Sequence, residues 1–447
     1  MSENSTIAAI RAQLMACNAS AIVLTEVDNV GYASGFASVM DGWNLIEPIA
    51  GIFVPASPHL PVTLFLPEAS LISLVVAERG GHKIIYERLR TYDMLNFCET
   101  ARAQDAHLSL PKDLLEELTT IAQDVEGACA PDILEAIAEC LQSHTLENTT
   151  VLFDDLRVAH RLQRRHQQVW EDGLEVVLAC RSIKQPDEIA VLKESGRIAD
   201  SIIEYTVSQL GAGVRWSDVE KSVAKFMIDQ NVDPLPGSPM LFGGGYDLVF
   251  RPDLFRTHYD RPFQGGEIAI LETQGRYRGY WIDINRTAHI GRASQAYKDQ
   301  HACVQEIFET LSQRLQAGCN SADITRTDNI DAVQRLAAPE KLLVVAHSIG
   351  RVPLESPVAF PGTGLHAAKE GFEVKSGMVI SIDCLYFGSQ LGPSHMENVF
   401  LVTKEGCESL YQYPLDLIEV ICGKACDALL RGITSIDQHF RTGHKPG

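Results

Sequence analysis

Residues 279–287 read GYWIDINRT, and this stretch decides the fold that the sequence predicts. It is rich in aromatic and β-branched residues, which favour a strand, and it carries one carboxylate, Asp283. Another strand-like run, residues 267–272, ends at Glu272, and a glycine-containing turn separates the two runs. A hairpin would place both carboxylates on the same side of a sheet. Two like charges that close are unfavourable unless a cation or a proton separates them.

The same arrangement recurs further along the chain. Asp383 ends a strand-like run that starts at residue 378, and Glu397 precedes another run at residues 399–402. Between the two carboxylate pairs, His347 follows an apolar run and precedes a turn containing Gly350. Taken singly, each carboxylate pair is more typical of solvated side chains on a sheet face, and a lone histidine is more often a core residue than a ligand. Together, four carboxylates and one imidazole form an oxygen-rich ligand set that suits Mn²⁺, and Zn²⁺ or Fe²⁺ less selectively. Four carboxylates can also hold two ions, whose bridging water becomes a nucleophile at neutral pH.

The periodicity divides the chain into two parts. Residues 1–180 alternate strand-like and helical runs, including a helical run at residues 162–177, and predict a smaller α/β domain. A helix start follows near Arg181, where Pro186 suits the first turn. Residues 181–447 then combine short alternating runs, typical of an antiparallel sheet, with a helical segment at 295–315. We therefore predict an α+β domain over residues 181–447, with a partly helical tail from residue 414.

Composition limits the possible functions. The 447-residue chain has a formal net charge of −20, which disfavours nucleic acid as a partner. We find no signal-peptide pattern at the N-terminus and no apolar run long enough to span a membrane. The eleven cysteines are scattered, so reduced thiols in a cytoplasm are the simplest interpretation.

Six short motifs, in one order, resemble the pita-bread metallohydrolases, the family that includes methionine aminopeptidase, Xaa-Pro aminopeptidase, prolidase and the metal-free amidinohydrolase creatinase. Near the N-terminus, NVGYASGF at residues 29–36 resembles the pattern N-x-x-Y-x-x-G-F, and RSIKQPDEI at 181–189 resembles R-x-I-K-S-x-x-E-I. GYWIDINRT resembles G-Y-x-x-D-I-T-R-T, and HSIG at 347–350 resembles H-G-I-G or the H-S-F-G of creatinase. GMVISID at 377–383 stands where the family has G-M-V-x-x-x-E-P, and MENV at 396–399 where it has R-x-E-D-x-V.

The resemblance covers nearly the whole chain, and it implies a pita-bread catalytic domain preceded by a creatinase-type α/β domain. It also implies one or two divalent ions (Mn, Fe, Zn or Co) and a homodimer acting on a short peptide or another small molecule. The implied metal ligands are Glu272, Asp283, His347, Asp383 and Glu397. The implied catalytic residues are His347, Asp383, Glu397 and His258, the last lying near the place of a further family histidine. Arg286 is expected to orient the carboxylates.

The sequence departs from the family pattern at several of these positions. Glu272 replaces an aspartate, Asp383 replaces a glutamate, and Cys384 replaces a proline. These exchanges of side-chain length allow one ion in place of two. Leu354 stands where the family pattern H-E-x-P has a histidine that contacts the substrate in the peptidases.

Three functions remain open at this point. The first is a metal-dependent hydrolase of a C–N bond, similar to Xaa-Pro aminopeptidase or dipeptidase. The second is a creatinase-like amidinohydrolase or a lyase for a small non-peptide substrate, with Trp43, Tyr246 and Trp281 as possible cation–π contacts for a cationic ligand. The third is a binding module without catalysis.

Overall fold

The computed structural model describes residues 4–38, 40–41, 47–94, 111–146, 149–165, 169–234, 240–243, 260–359 and 371–421. The chain divides into two compact units, Met1–Arg181 and Ser182–Gly447. No helix among the described residues is both long and apolar enough to cross a membrane. His258, Trp43, Tyr246 and the tail beyond residue 421 lie outside the described residues.

The first unit alternates strands and helices. Its strands are β1 (Ala21–Leu24), β2 (Gly51–Pro55), β3 (Thr63–Pro67), β4 (Arg88–Tyr92), β5 (Val151–Phe153) and β6 (Trp170–Asp172). Its helices are α1 (Ser5–Ala16), α2 (Val27–Ser34), α3 (Leu71–Arg79), α4 (Lys112–Ala122), α5 (Ile133–Ser143) and α6 (Leu156–Gln163). Helix α7 (Leu174–Ser182) follows and reaches the first residue of the second unit.

The described strands of the first unit form one mixed sheet in the order β4-β3-β2-β1-β5-β6. β1 pairs parallel with β5 and antiparallel with β2. Ile22 and Leu24 of β1 pack in one buried apolar cluster, whereas Ala21 and Val23 pack in another. Helices therefore cover both faces of the sheet, as expected of an α/β layer structure.

The second unit is dominated by strands. These are β7 (Val232–Pro234), β8 (Met240–Gly243), β9 (Ile268–Tyr277), β10 (Tyr280–Ile290), β11 (Leu342–Ser348), β12 (Glu355–Ala359), β13 (Val379–Ser389), β14 (Gly392–Val402), β15 (Cys407–Ser409) and β16 (Ile418–Val420). The helices are α8 (Pro186–Gln209), α9 (Trp216–Asp229), α10 (Gln295–Ser312), α11 (Ser321–Ile324) and α12 (Asp331–Gln334).

The long strands form a sheet in the order β12-β11-β13-β14-β10-β9-β7. All pairings along this path are antiparallel. Apolar side chains at alternate positions pack against helices, such as Ile282 of β10 in one cluster with Ile202 of α8, and Ile382 of β13 in another with Phe308 of α10. The intervening residues lie on the opposite face of the sheet. The polar residues of interest are on that opposite face.

One prediction of local structure was wrong. Residues 162–177 do not form one helix, because α6 ends at Gln163 and Trp170–Asp172 form β6, which pairs parallel with β5. An open sheet edge offers these residues backbone hydrogen bonds that helical periodicity cannot reveal. In the described part of the tail, Ile418–Val420 form β16 beside β10. Most of the tail for which partial helix was predicted, residues 422–447, lies outside the described residues.

Candidate metal centre

The predicted site residues lie in cross-sheet rows on one face of the antiparallel sheet. The strand pairings define three rows, which we number along β13. The first row holds Gln274, Asp283, Ser381 and His347, the second Glu272, Asn285, Glu397 and Asp383, and the third Thr287, His395 and Leu385. Rows are separated by two residues along each strand, so neighbouring rows lie about 6.6–6.8 Å apart.

The β9–β10 hairpin brings Glu272 and Asp283 to this face. Its loop is the two residues Arg278 and Gly279, both with positive φ, the conformation whose twist suits a tight hairpin. The two carboxylates occupy diagonal positions, because Glu272 pairs with Asn285 and Asp283 with Gln274. The side-chain amide of Gln274 donates to both of them, at 2.9 Å to Glu272 and 3.4 Å to Asp283.

The β13–β14 hairpin places Asp383 directly opposite Glu397. The two carboxylates have hydrogen-bond partners in different rows. Ser381 in the first row donates to Oε1 of Glu397 at 2.6 Å, whereas Nε2 of His395 in the third row donates to Oδ1 of Asp383 at 2.8 Å. The donors to the two acidic side chains therefore lie on opposite sides of the row that these side chains share.

His347 completes the group from β11. Its Nδ1 lies 3.2 Å from the carbonyl oxygen of Ser348, which can only accept, so Nδ1 carries the proton. This leaves Nε2 with a lone pair, 3.8 Å from Glu397 and 4.0 Å from Asp383. A backbone carbonyl that fixes the tautomer in this way is a common support for a metal-binding histidine.

Three of the five predicted ligands form the most compact group. One ligand atom each from Asp283, His347 and Glu397 lie within 4.8 Å of one another, and all three residues are buried. Glu272 and Asp383 are neighbours of this group without belonging to it. Their part in metal binding stays a prediction.

The buried carboxylates strongly perturb one another. Burial raises the pKa of Glu272 to about 7. Burial, followed by the negative charge of Glu272, raises the pKa of Asp283 well above its ordinary range, and burial followed by the charge of Asp283 does the same for Glu397. Burial lowers the pKa of His347, so its imidazole is neutral and able to bind a cation. These carboxylates need either protons or a cation to remain together.

The donor set fits a divalent cation. Carboxylates with one neutral imidazole suit Mn²⁺, Fe²⁺, Zn²⁺ or Co²⁺. In the second row, the amide nitrogen of Asn285 donates to Glu272 at 3.3 Å, while its buried oxygen has no hydrogen-bond partner among the described residues. A buried acceptor without a donor is costly in a closed protein interior and is expected beside bound water or an ion.

Sequence reasoning missed four residues that hydrogen-bond the predicted ligands: Gln274, Asn285, Ser381 and His395. All four stand two residues from a predicted ligand, the strand spacing that puts side chains on one face, so alternation alone could have indicated them. His395 occupies the arginine position of the pattern R-x-E-D-x-V. Its contact with Asp383 depends on strand pairing, which the sequence does not state.

Arg286 has a different role from the one expected. All five of its N–H groups donate to other residues, at 2.6–2.9 Å, and none reaches a carboxylate. The acceptors are the backbone carbonyls of Asn285, Glu397, Tyr413 and Pro414, and the side-chain oxygen of Asn398. Arg286 thus fixes the main chain at Glu397 instead of orienting the carboxylate side chains.

The predicted aromatic contact for a cationic ligand also changes. Trp281 is 5% exposed, and the guanidinium of Arg276 lies 5.3 Å from the centroid of its ring. A cation of the protein itself therefore already lies over this ring. Leu354, at the position of the missing histidine, is 45% exposed.

Residues 190–404 match the model of metallopeptidase family M24. An uncharacterized peptidase of Bacillus subtilis is 22% identical over 251 residues, and an Xaa-Pro dipeptidase of Pyrococcus horikoshii is 21% identical over 253. Each alignment covers 55% of this chain and 66% of the relative, so the chain spans just under two thirds of the length of these curated relatives.

Solved structures resemble the chain over a longer span. A prolidase from Pyrococcus horikoshii superposes with a TM-score of 0.65 at 17% identity, covering 93% of this chain and 100% of the prolidase. An Xaa-Pro dipeptidase from Bacillus anthracis gives 0.66 at 17% identity, covering 93% and 99%. These similarities confirm the predicted pita-bread fold with its N-terminal α/β domain. Residues 190–404 of this chain therefore belong to metallopeptidase family M24.

Proposed function

We propose that this protein is a metal-dependent hydrolase that cleaves a C–N bond in a short peptide or an amino-acid derivative. The observation that carries the proposal is the buried group of Asp283, His347 and Glu397, whose ligand atoms lie within 4.8 Å of one another. A divalent ion held there would supply an activated water and polarise the scissile carbonyl.

The residues of the chain would contribute positioning and proton transfer. Ser381 holds Oε1 of Glu397 at 2.6 Å, which fixes this carboxylate within reach of Nε2 of His347. Glu397 is the proposed proton carrier, taking a proton from the attacking water and delivering it to the leaving nitrogen. Burial, followed by the charge of Asp283, raises the pKa of Glu397 well above its ordinary range, and a carboxylate with a raised pKa accepts a proton more readily.

The name of one relative suggests a narrower class of substrates than the geometry of the site does. One relative is named an Xaa-Pro dipeptidase, so Xaa-Pro dipeptides are the first substrates to test. The absence of the peptidase histidine at Leu354 favours a second candidate, a creatinase-like hydrolase or lyase of a small non-peptide substrate. A non-catalytic binding module is the third.

One experiment separates the three candidates. The purified protein is stripped with a chelator, reloaded with Mn²⁺, Fe²⁺, Zn²⁺ or Co²⁺, and assayed against Xaa-Pro dipeptides, N-methylated amino acids and amidines. The proposal expects activity that chelation removes, that metal restores, and that Glu397→Gln and His347→Ala abolish. Full activity of the chelated protein would refute metal dependence. Binding without turnover of any of these substrates would favour the binding module.

A further inference from the structure

Arg276 and Trp281 form a pair near the turn of the β9–β10 hairpin. They lie directly opposite each other, and the guanidinium carbon of Arg276 is 5.3 Å from the centroid of the Trp281 ring. Two residues further along each strand stands the pair of Gln274 and Asp283, which belongs to the first row of the candidate centre. The Arg276–Trp281 pair therefore forms an adjoining row, about 6.6–6.8 Å away along the strands.

The direction of the Arg276 side chain follows from Gly275, the residue before it. A Cβ atom added to Gly275 would lie 2.7 Å from Cε of Met227 on α9 and 2.7 Å from Cγ1 of Val232 on β7. Position 275 therefore faces the helices, and the positions on either side of it face the other way, toward the candidate centre. Arg276 thus places a positive charge beside this acidic group.

The indole of Trp281 places a donor beside this positive charge. The backbone N–H of Trp281 donates to the carbonyl oxygen of Gly350 at 2.7 Å, and the residue is 5% exposed. Its Nε1, which can only donate, is buried and has no hydrogen-bond partner among the described residues. A buried donor without an acceptor is costly, so this position favours the binding of a group that accepts.

We infer that Arg276 and Trp281 form a subsite for a carboxylate of the substrate, one residue away from the scissile C–N bond. The inference rests on the proposed function, because the subsite serves a substrate held at the neighbouring centre. A guanidinium matches a carboxylate through two parallel hydrogen bonds. Contact with the indole ring holds the guanidinium in place, and Nε1–H is a further donor.

The spacing of the rows limits where this carboxylate lies in the substrate. One residue of an extended chain spans about 3.3–3.6 Å, and a hydrogen bond spans about 2.9 Å. Together these lengths are close to the row spacing of about 6.6–6.8 Å. A dipeptide, or another amide of a free amino acid, therefore places its carboxylate at the subsite, whereas a longer peptide places its C-terminus too far away.

The test compares ligands that differ in one charge. Ala-Pro is compared with its C-terminal amide, and Asp-Pro amide with Asn-Pro amide, so that the second comparison reports on a side-chain carboxylate. Calorimetry on the full-length, metal-free protein gives Kd, and assays of the metal-loaded protein give kcat/KM. We expect Ala-Pro to be preferred over its amide by at least about tenfold, and the second pair to differ by less than about threefold.

Variants of the hairpin test the two side chains. Arg276→Met should remove the preference by weakening the binding of Ala-Pro alone, and Arg276→Lys, which keeps the charge, should retain part of it. Trp281→Phe, which removes the indole donor and keeps an aromatic ring, should weaken the binding of Ala-Pro by about 3–10-fold. The matched control is Arg278→Met, which removes the same charge from the exposed turn of the hairpin and should leave the preference unchanged.

Asp233→Asn tests a competing explanation for Arg276. Asp233 is exposed and lies opposite Arg276 on β7. If Arg276 only pairs with this carboxylate, Arg276→Met and Asp233→Asn lower stability alike and neither alters the preference for Ala-Pro. That result, equal binding of Ala-Pro and its amide, or a preference confined to the Asp-Pro and Asn-Pro pair would overturn the inference. Circular dichroism shows whether each variant is folded, and Arg276→Lys provides the reference if Arg276→Met is not.

The outcomes also separate this inference from the proposed function. Ala-Pro bound in preference to its amide, but not hydrolysed by the metal-loaded protein, supports the inference and counts against the function. Metal-dependent hydrolysis of Ala-Pro and its amide with equal kcat/KM does the reverse. A protein that neither binds nor hydrolyses any of the four compounds overturns the inference, whatever its activity on other substrates.

Discussion

Nζ of Lys184 lies 2.5 Å from a carboxylate oxygen of Glu355, and both side chains are 1% exposed. This buried pair packs against the backbone at Gly350, which follows His347 in the chain. A Cβ atom added to Gly350 would collide with the Glu355 carboxylate and lie 2.8 Å from Nζ of Lys184. The glycine of the HSIG motif therefore allows the backbone to approach an ion pair that fixes the end of β11.

Breaking this ion pair should be costly. We expect Lys184→Met to lower the free energy of unfolding by about 3–5 kcal/mol, because it removes one partner of a buried ion pair. The matched control is Lys193→Met, which breaks the exposed pair with Glu408 and should cost less than about 1 kcal/mol. Urea unfolding measures both. Equal losses in the two variants would show that burial of the Lys184–Glu355 pair has no energetic consequence.

The metal-free protein should become less stable as the pH rises from about 4.5 to 7. The pKa of Glu272 is raised from its ordinary value of 4.5 to about 7, so the folded protein binds this proton more tightly than the unfolded chain does. Protonation therefore favours folding, fully below about pH 4.5, and this contribution is lost as the pH passes 7. For Glu272 alone it amounts to about 3 kcal/mol.

Urea unfolding in a chelating buffer at several pH values measures this contribution as the difference between the unchanged protein and Glu272→Gln. As the pH rises from about 4.5 to 7, the unchanged protein should lose stability relative to Glu272→Gln. Saturating metal that binds the ionised site should reduce the loss of stability. A difference that stays constant between pH 4.5 and 7 would contradict the raised pKa.

Ser381→Ala should weaken metal binding with little loss of stability. Its hydroxyl donates to Oε1 of Glu397, and loss of such an outer support costs roughly 10–100-fold in metal affinity. Ser394, also buried and on a neighbouring strand, is the matched control, since it bonds Nδ1 of His301. Metal-buffered titration of both variants should show weakening only for Ser381→Ala. Equal affinity in the two variants would remove Ser381 from the centre.

Arg286→Lys should destabilise the second unit. Lysine has three donors for the five acceptors that Arg286 satisfies, so at least two buried acceptors lose their partner, at about 1–3 kcal/mol each. Arg314 also bonds several acceptors, but at the surface. Arg314→Lys should therefore cost much less in a denaturant titration. A small loss for Arg286→Lys would mean that water replaces the missing donors.

Much of the fold and of the centre follows from local pattern. The antiparallel sheet of the second unit was predicted because short alternating runs and glycine turns have few other stable arrangements. Helix α8 begins at Pro186, the residue that the sequence placed in its first turn, and ends at Gln209. The shared face of Glu272 and Asp283 follows from a strand period of two residues.

Other features depend on neighbours that are distant in sequence. Trp170–Asp172 became a strand because β5 offered an edge, and residues 418–420 because β10 did. The guanidinium of Arg276 covers the Trp281 ring because the hairpin register places these two residues opposite each other. His395 reaches Asp383 because β13 and β14 pair in one register, and a shift of one residue would turn His395 to the other face.

The sequence by itself determined the order of the ligand-capable residues and the strands that carry them, because side-chain type and strand period are local properties. The tertiary structure decided how these residues are divided among hydrogen-bond partners. Asp283, His347 and Glu397 meet in one buried group, while His395 holds Asp383 and the side chains of Gln274 and Asn285 hold Glu272. The physical reason is that a carboxylate takes its position from the donors within about 3 Å of it, and strand register, not sequence distance, brings those donors there.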